Sequence, residues 1–172
     1  SQQILDLYPL SPVQQGMLFH GLLEQHSGVY VIQVSFSLIG DLNQDAFESA
    51  WSQLIYRHDP LRTAFVWEQA DQPLQVVGKN AALPISKLDW ESKNIEKDRF
   101  KNPETIPDYQ EWLSKDRMRG FNFSSAPLMR VTQFRIAEDH HRVVWTYHHL
   151  LLDGWSLPLL LKDWITAYQI LS

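Results

Sequence analysis

Val143-Val144-Trp145-Thr146-Tyr147-His148-His149-Leu150-Leu151-Leu152-Asp153-Gly154-Trp155-Ser156 carries the chain from a strand through a turn into a helix. The first five residues are β-branched or aromatic, the composition of a buried or half-buried strand. Asp153-Gly154 is a turn dipeptide. Ser156 can cap the helix that follows, which has Pro158 in its first turn, where a missing N–H costs nothing. Side chains alternate along a strand, so His148 and His149 address opposite faces, and only one of them can reach any given cavity. A histidine at a strand end with Asp153 four residues on can serve as an acid/base pair, because imidazole titrates near neutrality and a carboxylate can orient it. The same residues also have a plainer reading, with His148 a buried hydrogen-bonding group among core residues and Asp153 a turn residue or helix cap.

Upstream, Ser11-Pro12-Val13-Gln14 has the pattern of a reciprocal helix cap, and the helix it opens should run to about Gln25. Ile32, Val34, Phe36 and Leu38 alternate with polar residues, which marks a strand with one buried face. A second helix is expected over residues 44–57, with Phe47, Ala50, Trp51, Leu54, Ile55 and His58 as its core stripe and Pro60 beyond its end. Residues 62–68 and 73–77 read as a hairpin around a polar turn. Residues 82–107 read mostly as loop, with one short strand near Ile85. Residues 108–119 suggest a helix with Tyr109, Trp112 and Leu113 inward and Gly120 as its stop. A second hairpin, 128–136 with 142–149, would turn at Glu138-Asp139-His140-His141 and leave both of those histidines solvated. The closing helix carries Leu157, Leu160, Leu161, Trp164, Ile165 and Tyr168 on one face. This order of strands and helices predicts an α/β (α+β) sandwich in which helices cover a mixed β-sheet.

The 172 residues, 44% of them apolar and seven of them tryptophan, suit one compact unit with a sizeable core. A net charge of −5 without a basic run argues against nucleic acid as a partner. The absence of cysteine excludes a disulfide scaffold and a thiolate metal site and agrees with a reducing compartment. No apolar run approaches bilayer length and the first residues do not read as a signal peptide, so a cytoplasmic chain without membrane contact is expected. No metal is expected at His140, His141, His148, His149 and Asp153, because adjacent histidines diverge on a strand.

Three motifs together resemble one family. His148-His149-Leu150-Leu151-Leu152-Asp153-Gly154 matches the HHxxxDG signature of the condensation domains of nonribosomal peptide synthetases and their chloramphenicol-acetyltransferase-like relatives. Ser11-Pro12-Val13-Gln14-Gln15-Gly16-Met17-Leu18-Phe19-His20 is similar to the opening motif of those domains, and Arg57-His58-Asp59-Pro60-Leu61-Arg62-Thr63 to their second motif. The resemblance spans residues 1–172 but only the amino-terminal half of such a domain. It therefore implies one chloramphenicol-acetyltransferase-like lobe of a two-lobed enzyme, with the carboxyl-terminal lobe as a partner.

The resemblance implies that His149 is the catalytic histidine facing a tunnel between the lobes, with His148 a structural neighbour. It implies that Asp153 pairs with Arg62, and that Gly154 keeps the backbone open to the approaching thioester. Trp155, Ser156, Gly16 and His20 are the candidates for the wall of the substrate channel. The implied reaction is peptide-bond formation: the amine of a carrier-bound aminoacyl acceptor attacks a carrier-bound donor thioester. No cofactor would be bound intrinsically, because the 4'-phosphopantetheine arms arrive on donor and acceptor peptidyl carrier domains. Adenylation and epimerisation domains would be neighbours. Leu150-Leu151-Leu152 and the wording of the opening motif resemble the subtype whose donor ends in a D-residue. Intact histidines speak against heterocyclisation, and Leu157 after Ser156 against epimerisation. Two other readings stay open, a stand-alone acyltransferase completed by a neighbouring subunit and a non-catalytic module that recruits carrier proteins.

Overall fold

Ser11 starts helix α1 (Pro12–Leu23) with the reciprocal cap its sequence calls for: its hydroxyl accepts from the Gln14 N–H, and the Gln14 side chain accepts from the Ser11 N–H. The computed structural model describes residues 3–68, 70–152 and 156–172. Ahead of α1 lies a strand that sequence patterning missed, β1 (Ile4–Pro9). All six of its residues are exposed, so it has no buried face to leave an alternating signature; main-chain pairing, together with the Gln75 side chain donating to the Pro9 carbonyl at 3.3 Å, holds it to its neighbour.

Strand β2 (Val31–Ile39) is followed by helix α2 (Gln44–Arg57), capped by the Asn43 side chain accepting from the Ala46 N–H at 3.0 Å. The predicted stripe of α2 is buried from Phe47 to Ile55. His58 departs from it: the residue is the helix C-cap, and its Nε2 lies 2.8 Å from the half-exposed Asp163 carboxylate. The chain has left the helical path by then, with Pro60 two residues on, so the periodicity no longer applies. Strands β3 (Thr63–Val66) and β4 (Leu74–Gly78) form the expected hairpin, and β1 joins the far edge of β4. The result is a three-stranded antiparallel sheet beside the mixed sheet expected from the sequence.

The mixed sheet has the order β2, β7, β6, β5, made with β5 (Ile85–Asp89), β6 (Met129–Ala137) and β7 (His140–His148). Strand β5 runs parallel to β6, and helix α3 (Pro107–Arg119) lies in the connection between them. Tyr109 of α3 packs with Trp90, Phe100, Phe134 and Val144 on one face of the sheet. Helix α4 (Ser156–Leu171) and α2 cover the other face, where Trp51 meets Trp145 and Trp164 at ring-centroid distances of 5.4 and 5.2 Å. Mixed-sheet sandwiches bury their central strands on both faces, and every residue of β7 is buried.

That burial corrects the reading of His140 and His141. Only Glu138 and Asp139 remain in the turn, and the two histidines are the first residues of β7, 3% and 8% exposed. His140 packs edge-on against Phe100 and bonds the Ser37 hydroxyl; a polar sequence stretch thus continues under a neighbouring segment that local patterning cannot see.

Candidate functional site

The paired histidines stand at the carboxyl end of the central strand, clamped from both sides. His148 N–H donates to the Leu128 carbonyl at 3.0 Å, and His149 N–H donates to the Tyr30 carbonyl at 2.8 Å. The neighbours of β7 in the sheet therefore set where both side chains begin.

His148 is 2% exposed and its Nδ1 accepts from the Leu150 N–H at 3.1 Å. An N–H can only donate, so Nδ1 carries the lone pair and the proton of the neutral ring sits on Nε2. Burial, and secondarily the nearness of His149, push the His148 pKa down to about 4. His149 has the opposite arrangement: it is half-buried, and its Nδ1 lies 2.6 Å from the Leu152 carbonyl oxygen. A carbonyl can only accept, so Nδ1 carries the proton and Nε2 keeps the lone pair. Two adjacent residues of one kind thus present opposite tautomers, and His149 is the one with a basic Nε2.

A cleft of about 390 Å³ opens beside His148, walled also by Gly21, Trp67, Arg119, Phe121 and Phe123. The Phe123 ring stands edge-on to His148 at 4.9 Å. Gly21 lets α1 come this close, since a Cβ there would lie 2.8 Å from a Phe123 ring carbon. Gly16 differs: it is exposed, and a Cβ would meet nothing within 4 Å. Gly16→Ala should therefore stabilise the chain by roughly 0.5 to 1 kcal/mol through helix propensity. Gly21→Ala should give no gain, because crowding the packed ring offsets the propensity. Equal melting temperatures for the two variants would contradict that assignment.

His20, on α1, turns toward Glu24 and toward Tyr30 in the turn before β2. Its Nε2 lies 3.1 Å from the Glu24 carboxylate and its Nδ1 3.2 Å from the Tyr30 hydroxyl. Ser156 is half-buried as the first residue of α4. Asp153, Gly154 and Trp155 lie outside the described residues, and with them the expected Arg62–Asp153 pairing. Arg62 itself is buried and donates to the carbonyls of Ile55 and Gly78 at 3.0 Å each, to the Tyr56 carbonyl and to the Asp59 carboxylate. It ties the end of α2 to β4. Among the described residues, no group of three His, Cys, Asp or Glu side chains could hold a metal ion, and no helix is long and apolar enough to cross a membrane.

A second polar cluster, under the same sheet, was not legible in the sequence. Asp116 of α3 accepts from Arg130 Nε at 2.7 Å, from Gln33 Nε2 at 2.9 Å and from the Thr146 hydroxyl at 2.6 Å. Arg130 also donates to the Gly120 carbonyl at 2.8 Å, at the start of the loop that delivers Phe121 and Phe123 to the cleft. The partners come from one helix and three strands, so no local spacing announces them.

The depressed pKa of His148 makes stability depend on pH. Between about pH 4 and 6.5 the unfolded chain binds a proton at this position that the folded chain excludes, so stability rises with pH across that window. It is present in full above about 6.5 and falls by about 3 kcal/mol as pH drops to about 4. Burial likewise lowers the pKa of His140 and His141, which adds in the same direction. Surface carboxylates act at lower pH, since ion-pair hydrogen bonds such as Arg135 to Asp89 hold them below the usual carboxylate range. Urea midpoints measured from pH 7 to 4 should fall steeply for the native chain and less for His148→Gln; parallel curves would exclude His148 as the cause.

A family profile described as "Condensation domain" matches residues 4–172. The chain is 44% identical over 172 residues to one subunit of linear gramicidin synthase from Brevibacillus parabrevis, covering 100% of this chain and 2% of that protein. It is 40% identical over 166 residues to one subunit of mycosubtilin synthase from Bacillus subtilis, covering 96% of this chain and 6% of that one. The chain thus spans a small fraction of these relatives. Among solved structures, the starter condensation domain of rhizomide synthetase superposes with a TM-score of 0.79 at 25% identity, over 96% of this chain and 39% of that one. A four-domain nonribosomal peptide synthetase bound to AMP and glycine shares the fold, with a TM-score of 0.82 at 20% identity over 98% of this chain and 12% of that one.

Proposed function

This chain belongs to the condensation-domain family of nonribosomal peptide synthetases, and we propose that it is the amino-terminal lobe of such a domain. In this reading it joins a donor thioester ending in a D-residue to an aminoacyl thioester acceptor. Both substrates are held on 4'-phosphopantetheine arms of peptidyl carrier domains, and the carboxyl-terminal lobe supplies the other wall of the site. Adenylation and epimerisation domains are the expected neighbours. The observation that carries the reading is the His149 ring, whose Nδ1–H is committed to the Leu152 carbonyl so that Nε2 is left as a base.

The acceptor amine, with an ordinary pKa of about 8, is partly neutral at cellular pH and needs modest activation. Its nitrogen adds to the donor thioester carbon as Nε2 of His149 takes up an N–H hydrogen bond and then the proton. Collapse breaks the C–S bond, and the proton returns to the departing thiolate. General base help contributes typically about 10² to 10⁴ in rate, whereas alignment of two reactants can remove on the order of 7 to 11 kcal/mol. Alignment therefore contributes more, and a lobe that supplies one wall cannot provide it alone.

The test is amide formation followed by intact mass spectrometry, with carriers loaded with D- or L-ending donors and a free-amine acceptor. Product should form with both lobes, not with this chain alone, and faster from the D-ending donor. Turnover by the chain alone would remove the half-enzyme reading. A preference for the L-ending donor would remove the subtype.

A further inference from the structure

We infer that Tyr30 is a positioning residue for the histidine pair, its main chain registering His149 and its ring walling His148. The inference rests on the condensation reading for its catalytic consequence, but its geometry stands independently. Tyr30 occupies the penultimate place of a turn closed by Val31 N–H donating to the Gly28 carbonyl at 3.1 Å. Its φ is +58°, a left-handed conformation favoured there by glycine or asparagine and uncommon for an aromatic residue. Such a conformation costs on the order of 1 to 3 kcal/mol and persists where the surroundings over-determine it.

Three contacts do so here. The Tyr30 carbonyl accepts the His149 N–H at 2.8 Å, just past the last residue of β7. The Tyr30 ring stands edge-on to His148 at a centroid distance of 6.1 Å, so that among the described residues it joins Phe123 against that imidazole. Its hydroxyl lies 3.2 Å from His20 Nδ1, and in the neutral imidazole, whose Nε2–H donates to the Glu24 carboxylate, Nδ1 is the acceptor and the phenol donates. Glu24, His20 and Tyr30 thus form a hydrogen-bonded line from α1 to the end of β7. Of these contacts, the carbonyl bond belongs to any residue at this position, whereas the ring and the hydroxyl belong to tyrosine.

Glycine separates the two parts, since it takes positive φ without strain and keeps the carbonyl. In Tyr30→Gly the chain should keep its melting temperature within a few degrees while water reaches His148, so that the imidazole titration midpoint read by NMR rises by about one unit or more. In the reconstituted two-lobe assay kcat should fall about tenfold with the acceptor KM unchanged. Tyr30→Phe keeps the ring and should restore both the His148 midpoint and most of kcat. Tyr30→Asn, which also tolerates positive φ, serves if the glycine variant does not fold. A His148 midpoint in the folded variant equal to that of the native chain overturns the inference, whatever the melting temperature does. Failure of the native two-lobe pair to form product would instead count against the proposed function, leaving the titration result to decide the role of Tyr30.

Discussion

His149→Ala should lower the single-turnover rate of amide formation by about 10²- to 10⁴-fold in the two-lobe assembly, with little change in stability. The rate effect follows from the tautomer: Nδ1–H donates a hydrogen bond to the Leu152 carbonyl, so Nε2 is the ring's one basic position. The small stability effect follows from the partial burial of His149, since truncating a half-buried ring opens less of a void than truncating a fully buried one. His148 should behave in the opposite way. Its loss strands the buried Leu150 N–H, which costs about 1 to 3 kcal/mol, and opens a void beside Phe123. Rates should be measured on variants whose folded fraction has been checked by circular dichroism. A folded His149→Ala variant that keeps its rate within about threefold would remove general base catalysis by this residue.

Asp116→Ala should destabilise the chain by roughly 3 to 5 kcal/mol, because it leaves the Arg130 guanidinium buried without its counter-charge. Arg130 and Asp116 side chains are 6% and 5% exposed, so water cannot replace the lost partner. The same substitution strands the Thr146 hydroxyl, two residues before His148, and one donor of Gln33. The double variant Asp116→Leu with Arg130→Met should recover much of the loss, since removing both charges abolishes the desolvation penalty along with the attraction. Urea unfolding of the two single variants and the double variant closes a cycle, and a coupling below about 0.5 kcal/mol would show that the ion pair is not a unit.

Much of the architecture was legible because its signals are short-range. The period of Phe47, Ala50, Trp51, Leu54 and Ile55 located α2, and the Ser11 and Gln14 pair located the start of α1. The hairpin of β3 and β4 and the lone strand at Ile85 followed from alternation and turn residues. β1 was not legible, since an exposed edge strand shows no buried face, and neither was the burial of His140 and His141, whose polarity suggested a turn although both are buried in β7, His140 against Phe100 and Ser37.

By itself the sequence determined the strand-turn-helix passage through His148 and His149, the separation of their faces and the three motifs that point to the family. These depend on intervals of a few residues, where backbone geometry is nearly independent of context. The tertiary structure alone decided the tautomer of each histidine, the pairing of Asp116 with Arg130 across 14 positions, and the placing of Tyr30 beside His148. Those depend on which carbonyl or carboxylate the sheet register and helix packing bring within about 3 Å, and hydrogen bonding and desolvation act only at that range.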